Sequence, residues 1–171
     1  MRHEYRYKSV VIPVIKDAYI LVKDAKYNEL TFVIGGCKLR EIPKNGHSKF
    51  DNDYTSYTTC ALRELKEETR GVFGSMSNDA LVPGFKFSST NRSKSEFAKD
   101  KRDGVIVTMR YTVYFLHLDI PKSKFKLIRD FFHQTKTVDG ETSDIVLKTK
   151  VELKDARMWR FMKEHVLHKL R

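Results

Sequence analysis

Apolar positions come in blocks along this chain. From Ser9 to Val22, two runs, Val10-Val11-Ile12-Pro13-Val14-Ile15 and Ala18-Tyr19-Ile20-Leu21-Val22, are parted only by Lys16-Asp17. The pattern predicts two buried strands, and Pro13, which cannot donate a ladder hydrogen bond, suits an edge or a bulge. A third run, Leu30-Thr31-Phe32-Val33-Ile34, stops at Gly35-Gly36. Two glycines at a strand end signal a bend or a close approach of backbone to another group. Residues 38–53 are polar and irregular, with Pro43, Asn45-Gly46 and Asp51-Asn52-Asp53, and form a loop in this reading. Near Tyr54 the period becomes helical: Tyr57, Ala61 and Leu65 recur at four-residue steps, Cys60 joins them, and Gly71 follows as a stop.

Further on, Leu81-Val82-Pro83-Gly84-Phe85-Lys86-Phe87 predicts a short, broken strand, and Ser88 to Asp103 a polar loop. Alternation from Val105 to Leu118 predicts a long strand. Pro121 to His133 reads as a basic amphipathic helix, Asp144 to Leu153 as a strand, and Ala156 to Leu170 as a final helix packing Trp159, Met162, Val166 and Leu167. With no internal repeat and no long linker, the elements belong to one α/β domain spanning residues 1–171.

Composition narrows the class. At 171 residues and 40% apolar, the chain can bury a core without metal or disulfide staples. No apolar stretch is long enough for a membrane span, and Met1-Arg2-His3-Glu4-Tyr5-Arg6 lacks the apolar core of a secretory signal, so a cytoplasmic protein is expected. Cys37 and Cys60 are too few and too far apart for a zinc cluster, and read as reduced packing residues. Lys and Arg outnumber Asp and Glu by 33 to 22, a formal charge of +11 that favours a polyanionic partner.

The chemistry concentrates in Arg63-Glu64-Leu65-Lys66-Glu67-Glu68. Residues at i, i+3 and i+4 share one helix face, so Glu64, Glu67 and Glu68 project together and repel one another unless cations sit among them. Hard divalent ions with oxygen ligands, Mg²⁺ or Mn²⁺, match such a set. An E-x-x-E-E run in a Lys- and Glu-rich chain is by itself more often a solvated helix face. The strand ending in Gly35-Gly36 upstream makes the combination far rarer, because free carbonyls there could reach the same ion.

In these residues the chain resembles the Nudix hydrolase family, whose box reads Gly, five residues, Glu, seven residues, then Arg-Glu-apolar-any-Glu-Glu-any-Gly-apolar. Gly36 resembles the opening Gly, and Arg63 to Glu68 match the second half. The resemblance implies an α/β/α sandwich with a mixed, curved sheet. It implies Glu64, Glu67 and Glu68 as ligands for Mg²⁺ or Mn²⁺, with the carbonyl of Gly35 or Gly36 beside them, and Arg63 as an orienting cation. As the base that activates water the resemblance offers Glu64 as one candidate and Glu141 as another, because Gly140-Glu141-Thr142-Ser143-Asp144 resembles the loop in which RNA-decapping Nudix enzymes place a late glutamate. Asp144 is a fallback, and an ordinary solvated turn is the competing reading of Glu141.

Three departures stand out. Gly36 and Arg63 lie twenty-seven steps apart where the box has fourteen, implying an insertion within Leu39 to Asp53. The Glu expected before Arg63 falls on Thr55, so Asp51 or Asp53 would have to replace it, with looser geometry. The closing Gly71 arrives one residue late.

For the substrate, the basic residues Arg92, Lys94, Lys99, Lys101 and Arg102, with Lys122, Lys124, Lys126 and Arg129, suggest a groove for a long polyanion, and Lys38 lies next to the glycines to meet phosphate. Phe85, Phe87, Tyr111, Phe131 and Phe132 could stack on a base, although most belong more naturally to the core. The box, the Gly-Gly-x-Lys-Leu run and the basic composition are similar to the mRNA-decapping Nudix enzymes of large DNA viruses, implying capped RNA as partner and release of m7GDP. Two alternatives remain: a hydrolase of diphosphoinositol polyphosphates or dinucleoside polyphosphates, and a catalytically weak module that binds RNA or nucleotide.

Overall fold

A computed structural model describes residues 2–44, 49–91, 105–135 and 140–170. Seven strands form one mixed sheet: β1 (Arg2–Ile15), β2 (Ala18–Asp24), β3 (Leu30–Thr31), β4 (Val33–Gly36), β5 (Leu81–Asn91), β6 (Val105–His117) and β7 (Thr142–Thr149). Its main path runs β3-β2-β1-β6-β5, with β4 paired to β1 and β7 to β2. Only β1 and β6 run parallel, and the other pairings are antiparallel. The helices are α1 (Thr58–Glu68), α2 (Phe125–Gln134), α3 (Lys150–Lys154) and α4 (Arg160–His165).

Strand alternation explains the layers. Along β1, Val11 and Ile15 face a core shared with Tyr57 at the start of α1, Ala61 and Leu65 within it and Phe132 of α2. Val10, Ile12 and Val14 face the opposite core, with Leu153, Met162, Val166 and Leu167. A strand buried on both faces reads as a continuous apolar run, which is how β1 and β2 appear in sequence. The expected α/β/α sandwich with a mixed sheet is therefore observed.

Several boundaries differ from the sequence pattern. β1 starts at Arg2, ahead of the apolar run, because the polar stretch Arg2–Lys8 is paired in register with β6. β5 continues to Asn91, absorbing Pro83-Gly84 as a bulge between Pro83 and Phe85. The eighth residue of β7, Thr149, caps α3, its hydroxyl accepting from Glu152 N, so the predicted last strand ends early. The predicted final helix is broken: Met158 bridges to Leu30 and helix begins only at Arg160. As a result Trp159 is 37% exposed and does not join Met162, Val166 and Leu167 in the core.

Among the described residues, no helix is long and apolar enough to cross a membrane.

Candidate metal and hydrolysis site

β4 delivers Gly35 against the middle of α1. A Cβ on Gly35 would lie 1.8 Å from the carboxyl carbon of Glu64, so the glycine vacates the space that Glu64 fills. Gly36 faces open space, and its carbonyl accepts a hydrogen bond from Arg63 Nη2 at 2.9 Å.

Arg63 is the hub. Its Nε donates to Glu41 Oε2 at 2.9 Å and its Nη2 to Glu41 Oε1 at 2.8 Å, a two-pronged pair. Nη1 donates to Glu64 Oε1 at 2.9 Å and reaches Glu67 at 3.3 and 3.4 Å. Glu41 also accepts from the backbone N of Lys38 at 2.8 Å and is only 4% exposed at its side chain. The Arg63 guanidinium, hydrogen-bonded to it, holds the Glu41 carboxyl below the usual range, and Glu41 in turn raises Arg63.

Glu64 behaves in the opposite way. Burial raises its pKa; Arg63 pulls it down, while Glu67 and Glu141 push it further up, and the net shift is upward. Glu68 turns to the other side of the strand end, where its Oε2 accepts from Ile34 N at 2.9 Å. Glu141 lies close enough to Glu64 to act on it electrostatically, and its loop is fastened by Ala25 N donating to Glu141 O at 2.9 Å and Thr142 Oγ1 to Glu68 O at 2.8 Å.

No family profile and no curated protein sequence matches the chain. Solved structures do match its shape. A pyrophosphohydrolase of Bacillus subtilis is similar over 94% of this chain and 75% of that one, with a TM-score of 0.54 and 18% identity. A MutT Nudix hydrolase from Burkholderia pseudomallei is similar over 98% and 99%, with a TM-score of 0.53 and 9% identity. This is the Nudix fold. A bifunctional NMN adenylyltransferase/ADP-ribose pyrophosphatase from Francisella tularensis, solved with AMP and a manganese ion, is similar over 96% of this chain and 41% of that one, with a TM-score of 0.51 and 12% identity.

Counted from Gly35, five residues lead to Glu41, which matches the spacing of the box the chain resembles, and Glu41 is bound to Arg63. The extra length lies between Glu41 and Arg63, where twenty-one residues stand in place of seven. With Gly36 as the opening residue, the count falls on Thr55 instead. Asp51 and Asp53 do not substitute: Asp53 Oδ1 accepts from Thr55 N at 3.2 Å and Ser56 N at 3.0 Å, and both carboxylates act on Lys86. The late Gly71 also has a reason. Arg70 takes a left-handed turn (φ 56°) beyond α1, and its guanidinium donates to Thr142 O at 2.8 Å and Phe132 O at 3.1 Å. The added residue thus ties the Glu141 loop to the end of α1, a positioning role that sequence reading missed.

Other expectations fare differently. Cys37 and Cys60 are joined in a disulfide, Cα atoms 5.2 Å apart, because β4 ends directly against the first turn of α1, so they are not reduced packing residues here. Asp144 is taken up by Arg129 at 2.6 Å and His133 at 2.8 Å; burial opposes its ionisation, but these hydrogen bonds outweigh it and hold the pKa down. That makes Asp144 a poor base. Lys122 pairs with Asp17. Tyr111 and Phe132 are buried, while Phe131 is exposed. Lys38 is exposed at the strand end beside Gly36. Arg92, Lys94, Lys99, Lys101 and Arg102 lie outside the described residues.

Among the described residues, no three Asp, Glu, His or Cys side chains stand gathered tightly enough to hold an ion. The donor chemistry nonetheless fits Mg²⁺ or Mn²⁺. Glu64, Glu67, Glu68 and the carbonyl of Gly36 are all oxygen donors, and burial raises the pKa of Glu64 even with Arg63 beside it.

Proposed function

We propose that this protein is a metal-dependent Nudix pyrophosphohydrolase that removes the 5′ cap of mRNA, releasing m7GDP and leaving 5′-monophosphate RNA. The hydrolase reading rests on one observation: Arg63 draws Glu41, Glu64, Glu67 and the Gly36 carbonyl to a single point. Glu64, Glu67, Glu68 and that carbonyl would hold Mg²⁺ or Mn²⁺, which supplies Lewis acidity to the phosphate and to water. Arg63 orients Glu64 and Glu67 while Glu41 fixes Arg63 in turn. Glu64, with its raised pKa, and Glu141, within its electrostatic reach, are the two groups placed to accept the proton of the attacking water.

Capped RNA as substrate is supported by charge and surface shape. The chain carries a formal +11. On the Gly36 side of the site an open groove of about 570 Å³ is lined by Tyr5, Arg6, Tyr7, Lys8 and Leu39, and a neighbouring one adds Arg40 and Lys44. Cations interleaved with aromatic rings suit a single-stranded polyanion. Diphosphoinositol polyphosphates and dinucleoside polyphosphates would use the same catalytic residues without needing the length of this groove.

The test is product analysis with Mg²⁺ or Mn²⁺, offering cap-labelled RNA, diadenosine tetraphosphate and a diphosphoinositol polyphosphate in parallel, with Glu67→Gln as control. Release of m7GDP by the unaltered protein, lost in the variant, is the expected result. Cleavage of a small substrate alone would reassign the enzyme, and cleavage of none would leave a binding module.

A further inference from the structure

The disulfide between Cys37 and Cys60 has two unequal ends. Cys60 stands in the first turn of α1 and is fully buried, its Sγ 4.0 Å from Gly35 O. Cys37 follows Gly36 at the end of β4 and is partly exposed, lining the open groove of about 570 Å³ on that side of the site. On its inner side the buried Ser9 Oγ lies 3.6 Å from Cys37 Sγ and donates to Tyr57 O at 3.2 Å. A molecule entering the groove therefore meets one sulfur of the pair and not the other.

Charge in the groove decides which molecule that is. Arg6 and Lys8 line it with a single carboxylate, Glu4, which lies 3.8 Å from Arg6, and Arg40 and Lys44 border the adjoining groove. A small anion is concentrated there and a small cation is kept out. A disulfide is opened by a thiolate, at whichever sulfur can be reached and with the other sulfur as leaving group. Cys60 suits the second role: backbone N–H groups in the first turn of a helix have no intrahelical partner and stabilise negative charge on a sulfur there.

We infer that Cys37 is a thiol-exchange site for small anionic thiols that enter by the groove. The incoming thiolate forms a new S–S bond to Cys37, the Cys37–Cys60 bond breaks, and its electron pair leaves on Cys60, which takes up a proton and as a thiol can donate to Gly35 O. A second thiol then releases Cys37, so that two thiols are oxidised to a disulfide and the protein's own disulfide is reduced to two thiols. The exchange unhooks the strand end carrying Gly35 and Gly36 from the helix carrying Arg63 and Glu64, and its intermediate leaves a charged group in the groove next to Gly36. This goes beyond the hydrolase reading and needs none of its chemistry.

The test uses the full, unreduced chain without denaturant and two probes of similar size and opposite charge, 2-mercaptoethanesulfonate and cysteamine. Acid quenching followed by peptide mass should find the first mixed disulfide on Cys37 and the free thiol on Cys60. With each rate divided by that of the same thiolate on a small reference disulfide, the sulfonate should react at least about fivefold faster at low salt. That ratio should fall toward one at about 1 M salt and in the double variant Arg6→Gln, Lys8→Gln. An adduct on Cys60, a reaction that requires urea, or equal normalised rates for the two probes at low salt overturns the inference. The hydrolase reading fails separately: exchange at Cys37 in a protein that cleaves nothing keeps this site and discards the reaction. Release of m7GDP by a protein that resists both thiols keeps the reaction and discards the site.

Discussion

Arg63 and Lys86 are both cations drawn in from solvent beside α1, and their surroundings differ in kind. Arg63 meets carboxylates: Glu41, Glu64 and Glu67 all lie within hydrogen-bonding distance, and its charge is stabilised. Lys86 meets rings. Its Nζ sits 3.9 Å from the ring centroid of Phe50, 4.7 Å from Tyr57 and 4.9 Å from Tyr54, bonds to Thr112 Oγ1 at 2.8 Å, and is pushed down to about 8 by burial. The first arrangement gathers three carboxylates around one charge. The second anchors the inserted segment around Phe50 and Tyr54 onto the sheet. A buried cation thus marks function only when its partners are themselves chemically competent.

The contrast can be broken most severely at Arg63. Arg63→Ala should lower the proposed pyrophosphate hydrolysis by about 100-fold, and Arg63→Lys should recover little of it, because a point charge cannot bridge Glu41 and the Gly36 carbonyl together. Initial rates at saturating metal check this. Reduction of the Cys37–Cys60 disulfide should cost about 3 kcal/mol of stability in urea titrations, since it frees the strand end from the helix that Arg63 spans. At Gly35, an alanine should leave Tm within a few degrees, because the flexible Glu64 carboxyl can move aside. Activity should nevertheless fall about tenfold through displacement of that same group.

Lys86→Met should leave the rate unchanged and test the other half of the comparison. In the folded chain Lys86 loses its proton near pH 8, whereas in the unfolded chain it keeps it to about 10.5. Between those values the unfolded state holds more protons, so Lys86 adds stability as pH rises through that window. The gap in Tm between the unaltered protein and Lys86→Met should therefore shift in favour of the unaltered protein from pH 8 to 10.5, by at most about 3 kcal/mol in equivalent free energy. The smallest effect is expected at Tyr57, whose buried hydroxyl has no hydrogen-bond partner among the described residues. Tyr57→Phe should be neutral or stabilising by about 1 kcal/mol in the same melts.

Much of the fold was legible because burial imposes a local period. The doubled apolar runs of β1 and β2 follow from two-sided burial, and the four-residue spacing of Tyr57, Ala61 and Leu65 from one-sided helix packing. The polar start of β1 was not legible, since its order comes from pairing with β6, more than a hundred residues away. Nor was the break at Met158-Trp159, where a bridge to Leu30 overrides helical spacing.

Within the site the division is similar. The sequence by itself determined the carboxylates of α1, the arginine before them and the glycines before the helix, because those depend on spacing within a single turn or a single strand end. Only tertiary structure decided that Glu41 is the partner of Arg63, that Cys37 reaches Cys60, that Arg70 fastens the Glu141 loop, and that Tyr27 and Trp159 share one cavity. Each of these joins segments whose separation along the chain carries no local signal, and a hydrogen bond, a disulfide or a cavity forms only where packing brings such segments within a few ångströms.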